Sequence, residues 1–333
     1  MKKIIFSMFF VTIFISGFCV TVNDFFSDSL NGNADYELVL LNKEKYLMDY
    51  DKAMIEVTTK EDELNAENSY YSSMDSEKSD MISLYQSFLS DLFNLFTEGI
   101  SLKINEMNLA DASETYHNNI YLNEKKIVSD SDLRESELSL EEEQINYNAS
   151  LRNYNDYLEE FSKLTSISFD EIVLNVFKPE SFFVSDEEYL NNDYSLKSSK
   201  LTLEISEYVL ENMSSLSSEY DLKDQEIQVK ENKLNYENAL KSSQEANEDY
   251  IIDLNDKYNT ICINDGNLEL SKYEFDDISI RYEKGSISDM DYRSSYANML
   301  NSQNSYYSSL LDYYNTVIEY IISVGGDVSD INF

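Results

Sequence analysis

Ser288-Asp289-Met290-Asp291-Tyr292-Arg293 repeats Ser129-Asp130-Ser131-Asp132-Leu133-Arg134 at a distance of 159 positions, and this pairing decides how the rest of the chain reads. At the same shift, Ile263-Asn264-Asp265-Gly266-Asn267-Leu268 answers Ile104-Asn105-Glu106-Met107-Asn108-Leu109. Asn191-Asn192-Asp193-Tyr194 answers Asn33-Ala34-Asp35-Tyr36 at 158. Three matches in one order, with a single-residue slip, mark a tandem duplication. The one proline, Pro179, falls between the copies in Phe177-Lys178-Pro179-Glu180-Ser181, which reads as a linker.

Each copy closes on a heptad stripe. In the second, Met299, Gln303, Tyr306, Leu310, Tyr313, Val317, Tyr320 and Val324 step by alternating fours and threes. In the first, Leu140, Gln144, Tyr147, Leu151, Tyr154, Leu158, Phe161 and Thr165 take the same steps. Such spacing is that of a coiled-coil helix. A second stripe through Tyr296, Leu300, Tyr307, Tyr314 and Ile321 implies neighbours on both sides, as in a layer or tube of helices. Gly325-Gly326 then ends the helix. The expected helices are 33–57, 61–123 and 130–165 in the first copy, and 191–213, 220–283 and 288–324 in the second. Bends are expected near Thr58-Thr59 and Ser214-Ser215, where short polar side chains compete with helix hydrogen bonds. Turns are expected near Lys125-Lys126 and Lys284-Gly285. The fold class is all-α: long antiparallel coiled-coil helices in two tandem repeats.

Composition agrees. The 333 residues hold 64 Asp and Glu against 25 Lys and Arg, a net charge of −39 that repels nucleic acid. Seven glycines and one proline suit neither a turn-rich sandwich nor a Gly-loop nucleotide site. One His and two Cys exclude a His/Cys metal cluster and a disulfide framework, so no cofactor is expected. Residues 1–19 read as a secretory signal, with Lys2-Lys3, an apolar run from Ile4 to Ile15, and cleavage before Val20. A second reading lipidates Cys19, although Phe18 stands where a small residue belongs. The remaining divisions are an N-terminal linker (20–32), a first repeat (33–168), a linker with Pro179 (169–190), a second repeat (191–326) and a tail (327–333). Cys262 is expected as a small buried side chain.

Around Arg281-Tyr282-Glu283-Lys284-Gly285-Ser286-Ile287-Ser288-Asp289-Met290-Asp291 the sequence resembles the TolC-type outer-membrane efflux family, with its R-Y-x-x-G and S-x-L-D pattern before a long helix. The Asn-x-Asp-Tyr openings are similar to the N-P-x-L start of each family repeat, and the duplication is itself a family trait. The resemblance covers about residues 33–326. It implies a homotrimeric helical tube, exported to the outer membrane or periplasm of a two-membrane bacterium. It also implies helix–turn–helix tips that dock a periplasmic adaptor, which links the tube to an inner-membrane pump. Tyr282, Gly285 and Asp291 map to that tip, with Asp132 as the first-copy counterpart of Asp291. Ser294 and Lys126 depart from the family pattern, at a second carboxylate and at the first-copy glycine.

A larger departure concerns the family's β-barrel. Membrane strands need about nine to eleven residues each. Neither Met213 to Asp221 nor the polar stretch Asn65 to Asp80 holds a pair. Little or no barrel is therefore expected. The aromatic stretch 82–100, with Leu84, Phe88, Leu92, Phe93 and Phe96, reads in two ways: a membrane or partner patch, or a buried core helix. Carboxylate runs such as Glu141-Glu142-Glu143 read as solvated helix faces, and His117 as a surface or packed residue. Nothing points to an enzyme. The expected function is a passive conduit within an export system; the alternative is a non-transporting periplasmic or surface coiled-coil spacer derived from that family.

Overall fold

Eight α-helices follow one another in a computed structural model that describes residues 20–213 and 217–330. The reading of residues 1–19, Cys19 included, lies outside the described residues. The helices are α1 (Val22–Leu30), α2 (Ala34–Glu56), α3 (Lys60–Glu124), α4 (Asp130–Leu164), α5 (Asp186–Asn192), α6 (Tyr194–Glu211), α7 (Glu219–Glu283) and α8 (Asp289–Ser323). The six expected helices are α2, α3, α4, α6, α7 and α8, with ends within three residues of the expected bounds. Among the described residues the only sheet is two two-residue strands, β1 (Val20–Thr21) and β2 (Ile172–Val173), paired in parallel.

Local chemistry sets the helix ends. Thr59, Ser129, Ser218 and Ser288 each begin a capping box with an Asp three residues on. Asn33 caps α2 and Asp193 caps α6, so the repeated Asn-x-Asp-Tyr is a helix-start signal whose capping residue differs between copies. α3 and α7 each run 65 residues, about 97 Å at 1.5 Å per residue.

The helices form one layer, four wide. From the turn between α3 and α4 upward, α3 packs between α4 and α8; beyond mid-length it packs between α2 and α6. α7 packs on α8 and then on α6. One edge of the layer is therefore α2 and α4, and the other is α7. This explains why the copies differ in polarity. α3 lies inside the layer, and its 84–95 stretch is buried. On the edge helix α7, the matching level carries Ser243 and Asn247, which bond Asp193 and Asp186.

The core sits at mid-length, where α1 and the segment between the repeats wrap the layer. Residues 20–32, expected as a linker, are instead β1 and α1: Phe25 stacks on Phe161 at 5.5 Å and Phe26 meets Tyr85 at 5.0 Å. Asp28 seals the end of α4 by accepting from the Thr165 hydroxyl (2.6 Å) and the Ser166 N–H (2.7 Å). Residues 169–190 are a strap rather than a free connection. The Tyr313 and Tyr314 hydroxyls donate to the carbonyls of Phe177 (2.8 Å) and Asn175 (2.7 Å), and the Val184 N–H donates to Tyr320 Oη (3.0 Å). Tyrosines on the α8 seam thus use their hydroxyls to hold backbone, which a phenylalanine seam would leave unsatisfied.

Two side-chain expectations change. In α4, Gln144 and Leu158 are exposed while Ser136, Ser150 and Phe161 are buried. α4 has only α3 beside it, so its seam is narrow and passes those two positions by. Cys262 is exposed on α7, because its neighbour Ile261 faces the core.

Candidate functional site: the docking tip and the open edges

Both hairpins turn at the same end of the layer by the same backbone device. The N–H of Lys126 donates to Asn123 O and that of Ile127 to Leu122 O; Gly285 donates to Tyr282 O and Ser286 to Arg281 O. These are the paired bonds of a Schellman ending, which requires a left-handed residue. Lys126 has φ 58° and Gly285 has φ 70°. The first-copy departure from glycine therefore keeps the turn and accepts the strain.

The tip residues have specific local partners. Asp132 and Asp291 turn their carboxylates back onto Ser129 and Ser288, accepting from each hydroxyl at 2.7 and 2.8 Å and from each N–H at 3.2 and 3.3 Å. The donors of Ser129, the hydroxyl first, hold Asp132 below the usual carboxylate range. Tyr282 stacks on Tyr292 with ring centroids 4.5 Å apart and bonds Asp289, which pushes its phenol pKa up. Its counterpart Asn123 reaches the equivalent carboxylate, Asp130, at 3.0 Å and the Val128 carbonyl at 3.1 Å. The structure thus brings Tyr282, Gly285 and Asp291 together at one turn and Asp132 to the matching turn beside it. Ser294 is exposed on α8.

Two positioning residues escaped the sequence reading. Arg293 joins the hairpins across the layer, pairing with Asp111 and, at 2.5 Å, with Glu114 of α3. Lys78 is largely buried and donates to the carbonyls of Asn192 and Ser323, each at 2.8 Å, tying together the ends of α5 and α8. Burial lowers its pKa. Both contacts span more than a hundred residues, and a single lysine or arginine in a helix carries no signal of that. His117 is exposed, with its Nδ1 on Ser113 O.

Leu84, Phe88, Leu92 and Phe93 are buried and Phe96 is packed against the same core, so the 82–100 stretch offers no patch on this protomer. The open apolar surface lies on the edges of the layer instead. On α2, Ile55, Met48 and Leu41 are 84, 64 and 61% exposed; on α7, Tyr220, Ile227 and Leu234 are 88, 45 and 60% exposed. The first set stands 2, 9 and 16 residues before the α2 C-cap Val57, and the second 2, 9 and 16 residues after the α7 N-cap Ser218. The tip half repeats the pattern. Leu138 of α4 and Tyr273 of α7, both exposed, each lie twelve residues from the left-handed residue of their own turn. Leu158 and Ile252 lie 32 and 33 residues from theirs. Between α3 and α4 an open trough of about 810 Å³, lined by Leu109, Ala110, Leu140 and Ile145, extends this edge.

A four-helix layer with tips at one end, a strapped waist and two apolar edges has solved counterparts. The Campylobacter jejuni CmeC outer membrane channel aligns with 92% of this chain and 85% of its own, with a TM-score of 0.56 and 16% identity. CusC, whose structures describe transmembrane channel formation, aligns over 92% of both chains at 0.57 and 9%. The outer membrane protein VceC of Vibrio cholerae aligns over 92 and 96% at 0.56 and 8%. The chain has the fold of an outer-membrane channel protein. This is the fold that the repeat and tip resemblance implied, here with almost no strand. No protein-family model matches the sequence, and no curated protein matches it.

Proposed function

We infer that the chain is one protomer of an exported helical tube, a passive conduit in an export system that closes edge to edge and docks a periplasmic adaptor through its tips. The observation that carries this is the register of the apolar stripes. The α2–α4 edge and the α7 edge are antiparallel, equal in length, and present large apolar side chains at matching heights. An edge exposed on one copy is therefore complementary to the opposite edge of the next, a head-to-tail contact that closes into a ring. Burying one such side chain stabilises by roughly 1.5–3 kcal/mol. Six at the apex half alone reach the scale of the entropic cost of association, about 4–15 kcal/mol, and the tip half adds more. Three copies, the number the family resemblance implies, make twelve helices around the wall.

By the same reading, with the adaptor and an inner-membrane pump as partners, the protein stands at the outer membrane or in the periplasm. Transport through such a wall needs position and lining rather than bond chemistry, so no enzymatic role is proposed. Native mass spectrometry tests closure. The wild type is expected as a closed oligomer and Met48→Glu with Ile227→Glu as a monomer; a monomeric wild type at micromolar concentration contradicts it.

A second reading, a spacer that does not transport, draws on the far end. The connection between α2 and α3 is Val57 to Thr59, and that between α6 and α7 spans 212–218. Neither holds two membrane strands of about nine residues. Unchanged sensitivity to dyes and detergents after gene deletion favours the spacer; increased sensitivity favours the conduit.

A further inference from the structure

The two tip turns differ in charge from the rest of the chain. With a net charge of −39 over 333 residues, most surfaces of this protein are acidic. Yet the segments that project furthest, Lys125-Lys126-Ile127-Val128-Ser129 and Lys284-Gly285-Ser286-Ile287-Ser288, contain three lysines and no carboxylate. Lys125, Lys126, Ile127 and Lys284 are all exposed, and Ile127 is among the most exposed large apolar residues of the chain.

The carboxylates nearest these turns are engaged behind them. Asp132 and Asp291 accept from the helix starts of α4 and α8, Asp130 accepts from Asn123, and Asp289 is bonded by Tyr282. Negative charge at a helix N-terminus is offset by the helix dipole and by the N–H groups it accepts from. The lysines have no such tie to a carboxylate; Lys125 lies over the Tyr121 ring at 5.3 Å. The forward face of the tip is consequently basic around an exposed isoleucine, held by two rigid Schellman turns.

We propose that this face docks a partner protein whose contact surface is acidic around an apolar groove that receives Ile127. The proposal rests on the reading of this end as the docking tip and adds the chemistry of what docks there. A protein fits better than an anionic membrane. Lysines near a charged bilayer contribute only about 1 kcal/mol each, and the acidic body behind them opposes approach to a sheet of phosphates. An acidic protein surface matched to the turns meets the lysines and avoids the body. Its charges steer encounter and reject basic competitors.

Photo-crosslinking in the cells that make the protein tests this, with Ile127→p-benzoylphenylalanine and the crosslinked peptide identified by mass spectrometry. The expected product is a protein segment of net negative charge. Its yield should fall about tenfold when Lys125→Glu, Lys126→Glu and Lys284→Glu are added, since like charges across a contact oppose it by several kcal/mol. Glutamate at position 126 keeps the same left-handed strain as lysine, and circular dichroism of the triple variant checks the fold. A neutral or basic crosslinked segment, or a yield indifferent to charge reversal, overturns the inference and leaves the docking tip standing. Crosslinks to lipid overturn it in favour of a membrane. No crosslink at Ile127, with crosslinks from a probe on the α7 edge at Ile263, overturns the inference and the docking tip together.

Discussion

Exchanging the residues at the two left-handed tip positions, by Lys126→Gly and Gly285→Ala, should move the two turns in opposite directions. At Lys126, with φ 58°, an L-residue carries about 1–2 kcal/mol of left-handed strain. Glycine removes that strain but loosens the unfolded chain by about 0.4–1 kcal/mol, leaving a net local gain of about 0.5–1 kcal/mol. At Gly285, with φ 70°, an added Cβ meets nothing within 4 Å, so alanine introduces strain without a clash and costs about 1 kcal/mol. The amides of Ile127 and Ser286 report each turn, since they donate to Leu122 O and Arg281 O. Native-state hydrogen exchange reads local opening directly. Exchange at residue 127 should slow about two- to fivefold in Lys126→Gly, and exchange at 286 should quicken about fivefold in Gly285→Ala. If both turns respond in the same sense, or if Gly285→Ala is silent, the equivalence of the turns and the strain assigned to Lys126 are refuted.

Lys78→Met keeps the aliphatic stem but removes two charge-assisted bonds at about 1.5–3 kcal/mol each. It should lower stability in urea by about 3 kcal/mol, and a loss below 1 kcal/mol counts against its role as a tie between α5 and α8. In a double-mutant cycle, Arg293→Ala with Asp111→Asn should show coupling of about 1–2 kcal/mol, whereas additive losses remove the bridge between hairpins. The capping carboxylates Asp62, Asp132 and Asp221 are held below their ordinary range by their N-cap hydroxyls and N–H groups. The unfolded chain therefore takes up protons first: the caps contribute fully above the ordinary aspartate pKa of about 3.9 and are lost as pH falls through the lower folded values. Exchange at the amides of these three residues should quicken between about pH 5 and pH 3 beyond the intrinsic trend, and an unchanged ratio contradicts the capping account.

Much of the architecture was legible because coiled-coil helices write their contacts in local spacing. The duplication, the capping serines and threonines, and the tip glycine placed six helices, and the α8 seam from Met299 to Val324 is packed as its heptads imply. The first-copy seam was misplaced at Gln144 and Leu158 because it was transferred from α8, which has neighbours on both sides, to α4, which has one. Position in the layer is a tertiary property that heptads do not encode. The same reason hid the contrast between α3 and α7. Residues 20–32 and 169–190 carry no period, so their roles as waist helix and strap became visible only once Tyr313, Tyr314 and Tyr320 showed what they hold. Cys262 was misjudged from its residue type alone. The open edges were missed because Leu41, Met48 and Ile55 look like core in one dimension; only a folded layer shows them facing away.

Edge pairing is tested most directly by intermolecular disulfides in a Cys262→Ser background. Met48→Cys with Ile227→Cys places both thiols nine residues from their helix caps, at the same height on opposite edges. Met48→Cys with Leu234→Cys displaces one by a heptad, about 10 Å, which is too far to bridge. Oxidation of the first variant should yield a ladder on denaturing gels ending at the covalent trimer, while the second remains monomeric. No ladder from the first, or equal ladders from both, would contradict closure of the layer into a ring.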